Sequence, residues 1–158
     1  MSTGLVYLRP MTVAYARRTG PHGTSSLEAW AHMLGWLDQQ GYRAMVPRGF
    51  GLIHKAAALR DQTDPVYDAC VELVDPVTVD LEAGIDRGHL KGGAFLLQRH
   101  SGPVELIGEA FRKLRTEEAT RRGLKCDENR PMIEIYLDDP YRSPAPHRLD
   151  LCVPVQVG

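Results

Sequence analysis

The chain has 158 residues, 43% apolar and 25% charged, with 19 basic and 20 acidic side chains and a net charge of −1. That length fits one ordinary domain, and the composition reads as soluble and globular. Charges of both signs are interspersed, which leaves no electrostatic footprint for DNA or RNA, and no stretch approaches the ~18 apolar residues of a membrane span.

In chain order, Leu5–Arg18 is rich in Val, Tyr and Thr and is interrupted by Pro10, which predicts strands on either side of that proline. Thr24-Ser25-Ser26 supply N-cap candidates for a helix whose stripe is Leu27, Trp30, Ala31, Leu34 and Leu37, with Gly41 at its C-terminus. Short strands follow around Phe50–Lys55 and Tyr67–Leu73, separated by a polar loop through Asp61–Pro65. Val77–Ile85 reads as a further strand, belonging to a second half. That half repeats the order. A strand covers Gly93–Arg99, and a helix begins near Pro103 with the stripe Leu106, Ile107, Ala110, Phe111 and Leu114. Strands near Met132–Leu137 and Arg148–Val155 are joined by the turn-rich Asp138–Pro146 segment. The one basic cluster, Arg112-Lys113 to Arg121-Arg122, is interleaved with Glu117 and Glu118 and reads as a solvated helix face.

The repeat is visible in the residues themselves. Arg17-Arg18-Thr19-Gly20-Pro21 returns as Arg99-His100-Ser101-Gly102-Pro103, and Asp68-Ala69-Cys70-Val71 returns as Asp150-Leu151-Cys152-Val153, both 82 residues on. The same offset sets Phe50-Gly51-Leu52-Ile53-His54 against Met132-Ile133-Glu134-Ile135-Tyr136. The expected fold is therefore one α+β domain over residues 1–158, made of duplicated β-α-β-β halves of about 1–75 and 76–158. An antiparallel sheet and two main helices would be related by a pseudo-twofold axis.

The paired Gly-Pro motifs read as architecture, with glycine allowing the turn and proline opening the helix. Asp68 and Cys70, like Asp150 and Cys152, share a strand face, but mixed carboxylates and thiols without a histidine at ligand spacing make a poor metal site. No metal and no cofactor are expected. Three distant cysteines form no disulfide framework, and the N-terminus has neither a basic leader nor an apolar h-region, which makes the cytoplasm the expected compartment. Glu134 stands out. It shares a strand face with Met132 and Tyr136, where the offset of 82 places Leu52 in the other copy. A carboxylate among such side chains is poorly solvated and could pair with a lipophilic cation, or serve as a general acid or base. Trp30, Trp36, Phe111, Tyr136 and His54 are the candidate walls of such a site; at helical spacing the first three also read as core.

These residues together resemble the GyrI-like, or AraC-type effector-binding, small-molecule-binding domains. The likeness rests on Val13–Pro21, Trp36-Leu37, Tyr67–Val71, Gly92-Gly93-Ala94, Gly102-Pro103, Ile133–Pro140 and Asp150–Pro154, and so covers nearly the whole chain. It implies two SHS2-like units with a ligand cleft between them and a central glutamate matching Glu134. It also implies binding of a small hydrophobic or cationic molecule, with protection or sensing as the outcome. Stand-alone relatives resemble the small gyrase-inhibitory proteins, which makes DNA gyrase a further candidate partner. Some GyrI-like proteins hydrolyse cyclopropane-bearing electrophiles, which would make Glu134 catalytic. The chain departs from the family pattern at His22 and Val104, where an aromatic commonly follows Gly-Pro, and at Lys55–Ala58, which replaces the Asp-Asp-Pro turn.

Overall fold

The computed structural model describes residues 3–46, 48–54, 65–137 and 147–156. The expected loop at 61–64, the Asp138–Pro146 turns and Lys55–Ala58 lie outside the described residues. Among the described residues the strands are β1 (Thr3–Leu8), β2 (Met11–Thr19), β3 (Gly49–His54), β4 (Val66–Glu72), β5 (Asp86–Leu90), β6 (Gly93–Gly102), β7 (Lys125–Cys126), β8 (Met132–Tyr136) and β9 (His147–Gln156). They form one antiparallel sheet in the order β1-β6-β9-β8-β3-β4-β2-β5, with β7 paired to the end of β9. Helix α1 spans His22–Gln40, and α2 spans Ile107–Lys113 before passing through a π-helical stretch, Leu114–Glu118, into a last turn at Ala119–Arg121. No helix among the described residues is long and apolar enough to cross a membrane.

The sheet order reads the same from either end when β1 is exchanged with β5, β2 with β6, β4 with β9 and β3 with β8. Pairings follow the exchange. Arg17 opposite Asp68 matches Arg99 opposite Asp150, and Met11 opposite Leu90 matches Gly93 opposite Leu8. For the two central strands the offset differs by one residue: Gly51 opposite Ala69 matches Glu134 opposite Leu151. Half two has one residue more before its central strand and one fewer after it. A one-residue shift reverses every side chain of a strand, so the sequence alignment of Glu134 with Leu52 is corrected: its internal equivalent is Gly51. Gly51 and Glu134 are also direct cross-strand partners, which puts the pair on the internal axis.

One sheet face carries both helices. Trp30, Met33, Leu37, Phe111 and Leu114 pack there on Ala14, Ala16, Tyr67, Ala69, Leu96 and Leu151. The other face buries Phe50, Leu52, Cys70, Phe95, Ile133, Ile135 and Cys152 in a separate cluster.

Three local expectations change, one of them on the second helix, where a 3-10 turn over Val104–Leu106 precedes α2 and leaves Leu106 of the expected stripe exposed. Helix α1 starts at His22 rather than after Thr24-Ser25-Ser26, because Pro21 is its N-cap and its carbonyl accepts from the Thr24 and Ser25 N–H groups. Its buried face is Ser25, Ser26, Ala29, Trp30, Met33, Leu34, Trp36 and Leu37, which keeps Trp30, Leu34 and Leu37 of the expected stripe, whereas Leu27 is 51% exposed and Ala31 lies outward. Small residues on the inner side let the helix approach the sheet closely. Val77–Ile85 is not a strand. Turns close it at Val77, Ala83 and Gly84, with a single bridge between Asp80 and Ile85. Val77 and Ile85 are buried plugs of that turn, and the strand begins afterwards, at Asp86.

Candidate functional site

Glu134 lies at the centre of the sheet, on the helix-covered face, with no exposed surface. Its place depends on what is missing opposite: a Cβ on Gly51 would stand 2.5 Å from Glu134 Oε1 and 2.2 Å from the Tyr67 hydroxyl. Glycine there clears the space the carboxylate occupies. Tyr67 donates to Oε1 at 2.7 Å and Tyr136 donates to the same oxygen at 3.0 Å. His22 Nε2 donates to Oε2 at 2.7 Å. Trp30 Nε1 in turn donates to the Tyr67 hydroxyl at 2.8 Å, and its ring meets Tyr136 edge-on at 5.4 Å.

Local sequence explains each placement. Tyr136 follows Glu134 by two residues and shares its face. Tyr67 comes from β4, beyond β3. Gly20, at φ +117°, turns the chain out of β2, and Pro21 then starts α1 so that His22 falls in the first helical turn above the carboxylate. Trp30 lies about two turns along the same helix.

The electrostatics suit an acceptor surrounded by donors. Burial, and then the charge of Glu134, push the Tyr67 phenol well above its ordinary pKa, so it remains a proton donor. For His22 burial acts downward, but the hydrogen bond and charge of Glu134 outweigh it and raise the imidazole above its usual value.

A model of the GyrI-like small molecule binding domain matches residues 1–156. The chain belongs to the GyrI-like family. No curated protein matches it by sequence. Its fold is similar to the C-terminal domain of EcmrR (TM-score 0.72, 16% identity, 98% of this chain and 97% of that one). It is similar to a hydrolase from Listeria innocua (TM-score 0.66, 16% identity, 98% and 91%). It is also similar to SAV2435 bound to tetraphenylphosphonium (TM-score 0.63, 16% identity, 99% and 94%). At such identities the likeness is one of fold.

In this GyrI-like domain the structure gathers Glu134, Tyr136 and Trp30 from the candidates read in the sequence. Phe111 is buried in the same helix-side core, on α2, without a polar role in the cluster. Trp36 packs further along α1, edge-on to Tyr42 at 5.6 Å. His54 lies on the opposite sheet face. There its Nε2 donates to Asp68 Oδ2 at 2.8 Å, beside the two bonds Arg17 makes to the same carboxylate at 2.7 and 2.9 Å. Burial acts to raise the Asp68 pKa, but the Arg17 and His54 bonds hold it below the usual carboxylate value. The equivalent pair in half two, Arg99 to Asp150 at 2.6 Å, is present too.

Two members of the cluster, Tyr67 and His22, are not among the candidate site residues read from the sequence, where His22 stands only as a departure from the family pattern. A signal existed. At the internal offset Tyr67 corresponds to Leu149 and His22 to Val104, the same loss of symmetry that marks Glu134.

Proposed function

We propose that this GyrI-like domain binds a lipophilic cation beside Glu134, with Tyr136, Trp30 and Tyr67 as the surrounding surface. One observation carries the reading. A carboxylate with no solvent exposure is partnered, among the described residues, by two phenols and an imidazole rather than by a lysine or arginine. A buried charge normally has a permanent counter-charge, since desolvating it alone costs several kcal/mol. The phenols carry no charge and the imidazole can give up its proton, so a cationic guest can take over the pairing that a lysine or arginine would hold permanently. Aromatic faces add cation–π attraction of about 0.5–2 kcal/mol when desolvated. The tetraphenylphosphonium bound to SAV2435 is a guest of this chemistry on a similar fold.

Calorimetric titration with tetraphenylphosphonium tests the proposal. Glu134→Gln keeps the shape and removes the charge, and it is expected to weaken binding at least tenfold, about 1.4 kcal/mol. Equal affinity in the two proteins would remove Glu134 from the role.

A second reading draws on the short His22–Glu134 bond and on the fold likeness to a hydrolase. Glu134, held by His22, would then be the base that activates water against a strained, electrophilic ring. Mass spectrometry separates the two. Product accumulating beyond one equivalent from a cyclopropane-bearing electrophile, and lost in Glu134→Gln, favours catalysis; depletion without product favours binding.

A further inference from the structure

We propose that His22 is an internal competitor for the site: its imidazole holds the edge of Glu134 that a cationic ligand takes, and the ligand binds by displacing it. This rests on the cation-binding reading above and adds what regulates it.

The geometry separates the two oxygens of Glu134. Oε1 is filled from within the sheet by Tyr67 and Tyr136. Oε2 is met by His22 from the start of α1. Of the five cluster members, His22 alone has substantial exposure: its side chain is 22% exposed, whereas Glu134 is at 0%, Trp30 and Tyr67 at 1% and Tyr136 at 5%. The imidazole is therefore the cover between carboxylate and solvent. Its other ring contact is the edge of Tyr67, 5.5 Å away between centroids. Because His22 is carried by α1 and not by a strand, its displacement asks for rotation about its own side-chain bonds, with the strands that hold Glu134 and Tyr67 left in place.

Nor does the fold call for this histidine. The position that follows the second Gly-Pro pair at the same offset is Val104, so the repeat itself does not require a histidine there. What His22 supplies is satisfaction of a buried carboxylate while no ligand is present, because an unpaired charge there would be unstable. A neutral guest that evicts the imidazole would leave that charge bare. A cation replaces what it removes. Selectivity for cations then follows from the resident pair itself.

The linkage has a definite sign. The groups facing His22 are Glu134 from β8 and Tyr67 from β4, with Tyr136 behind the carboxylate. Tyr67 stays neutral across the working range, so Glu134 is the charge His22 feels. Paired, the imidazole keeps its proton above its ordinary range; displaced into water, it returns to a pKa of about 6.5. Ligand binding therefore releases a proton within that window, and cation affinity rises with pH through it.

Tetraphenylphosphonium is the probe, since it has no titrating group of its own. Its affinity for the wild type is expected to rise about tenfold between about pH 6 and pH 9, with proton release seen as a buffer-dependent heat. His22→Ala is expected to bind at least about tenfold more tightly than wild type at pH 6, with no slope. His22→Gln retains a neutral donor and guards against a misfolded alanine variant; it is expected to lie between the two and also to be flat. If both variants bind more weakly than wild type at every pH, or keep its slope, competition is overturned while the cation site stands. If tetraphenylphosphonium binds none of the three, competition falls together with the cation-binding reading.

Discussion

At Glu134 the fold solves a packing problem and a charge problem with the same few atoms. The carboxylate fits because Gly51, directly across the strand pair, has no side chain. Its lone pairs are met by two neutral phenols and one imidazole. Gly51→Ala should therefore fail doubly, pressing a methyl between the Tyr67 hydroxyl and Oε1. We expect a loss of about 1–3 kcal/mol in urea denaturation, together with weakened tetraphenylphosphonium binding. Gly35→Ala is the control: its new Cβ meets open space on the outside of α1, and alanine is the better helix former, so stability should hold or rise. Equal stability of Gly51→Ala and the wild type would mean that the central register is misplaced. Glu134 is legible in the sequence through its break with the internal repeat, although the offset of 82 sets it against Leu52 and not against its structural equivalent Gly51. A one-residue difference in connection length leaves no mark in the pattern of apolar residues, yet it exchanges the two faces of a strand. For the same reason the offset of 82 sets His54 on the face of Glu134, whereas it belongs to the far side with Asp68 and Arg17.

Elements were easier to read than their edges. Helix α1 and the strands around Phe50, Tyr67, Gly93, Met132 and Arg148 are found where alternation or helical spacing put them. The turn at Val77–Ile85 looks like a strand because it plugs the core with apolar residues at both ends, whereas β5, Asp86-Arg87-Gly88-His89-Leu90, has almost no apolar alternation because it lies at the sheet edge. The repeated Asp motif, in contrast, is explained fully: each aspartate pairs with an arginine on the neighbouring strand. Asp68 gives this pairing a pH signature. Its folded pKa lies below the unfolded value of about 3.9, so its contribution is fully present above that value and is lost as pH falls through the folded one. Asp68→Asn is expected to be less stable than wild type at neutral pH, with the difference shrinking in acid; a constant difference down to about pH 2 would contradict the linkage. Arg17 is 43% exposed, so solvent screens part of the pair and the effect should weaken in high salt.

Across the whole molecule, the internal axis passes through a pair of residues that could hardly be less alike. Sheet order and pairings repeat, but the cluster on the axis does not: Glu134 and Tyr136 come from one half, and Tyr67, His22 and Trp30 from the other. Near-symmetry supplies two helices over one sheet, and departure from it supplies a charged centre between them. The most direct check is a crystal structure of the protein soaked with tetraphenylphosphonium. The phosphonium is expected on the helix-covered face against Glu134, Tyr136 and Trp30, with the His22 ring turned away from Oε2. A cation seated on the Asp68 face would contradict the assignment of the site, and one held against Glu134 with the His22–Glu134 bond intact would contradict the displacement of His22.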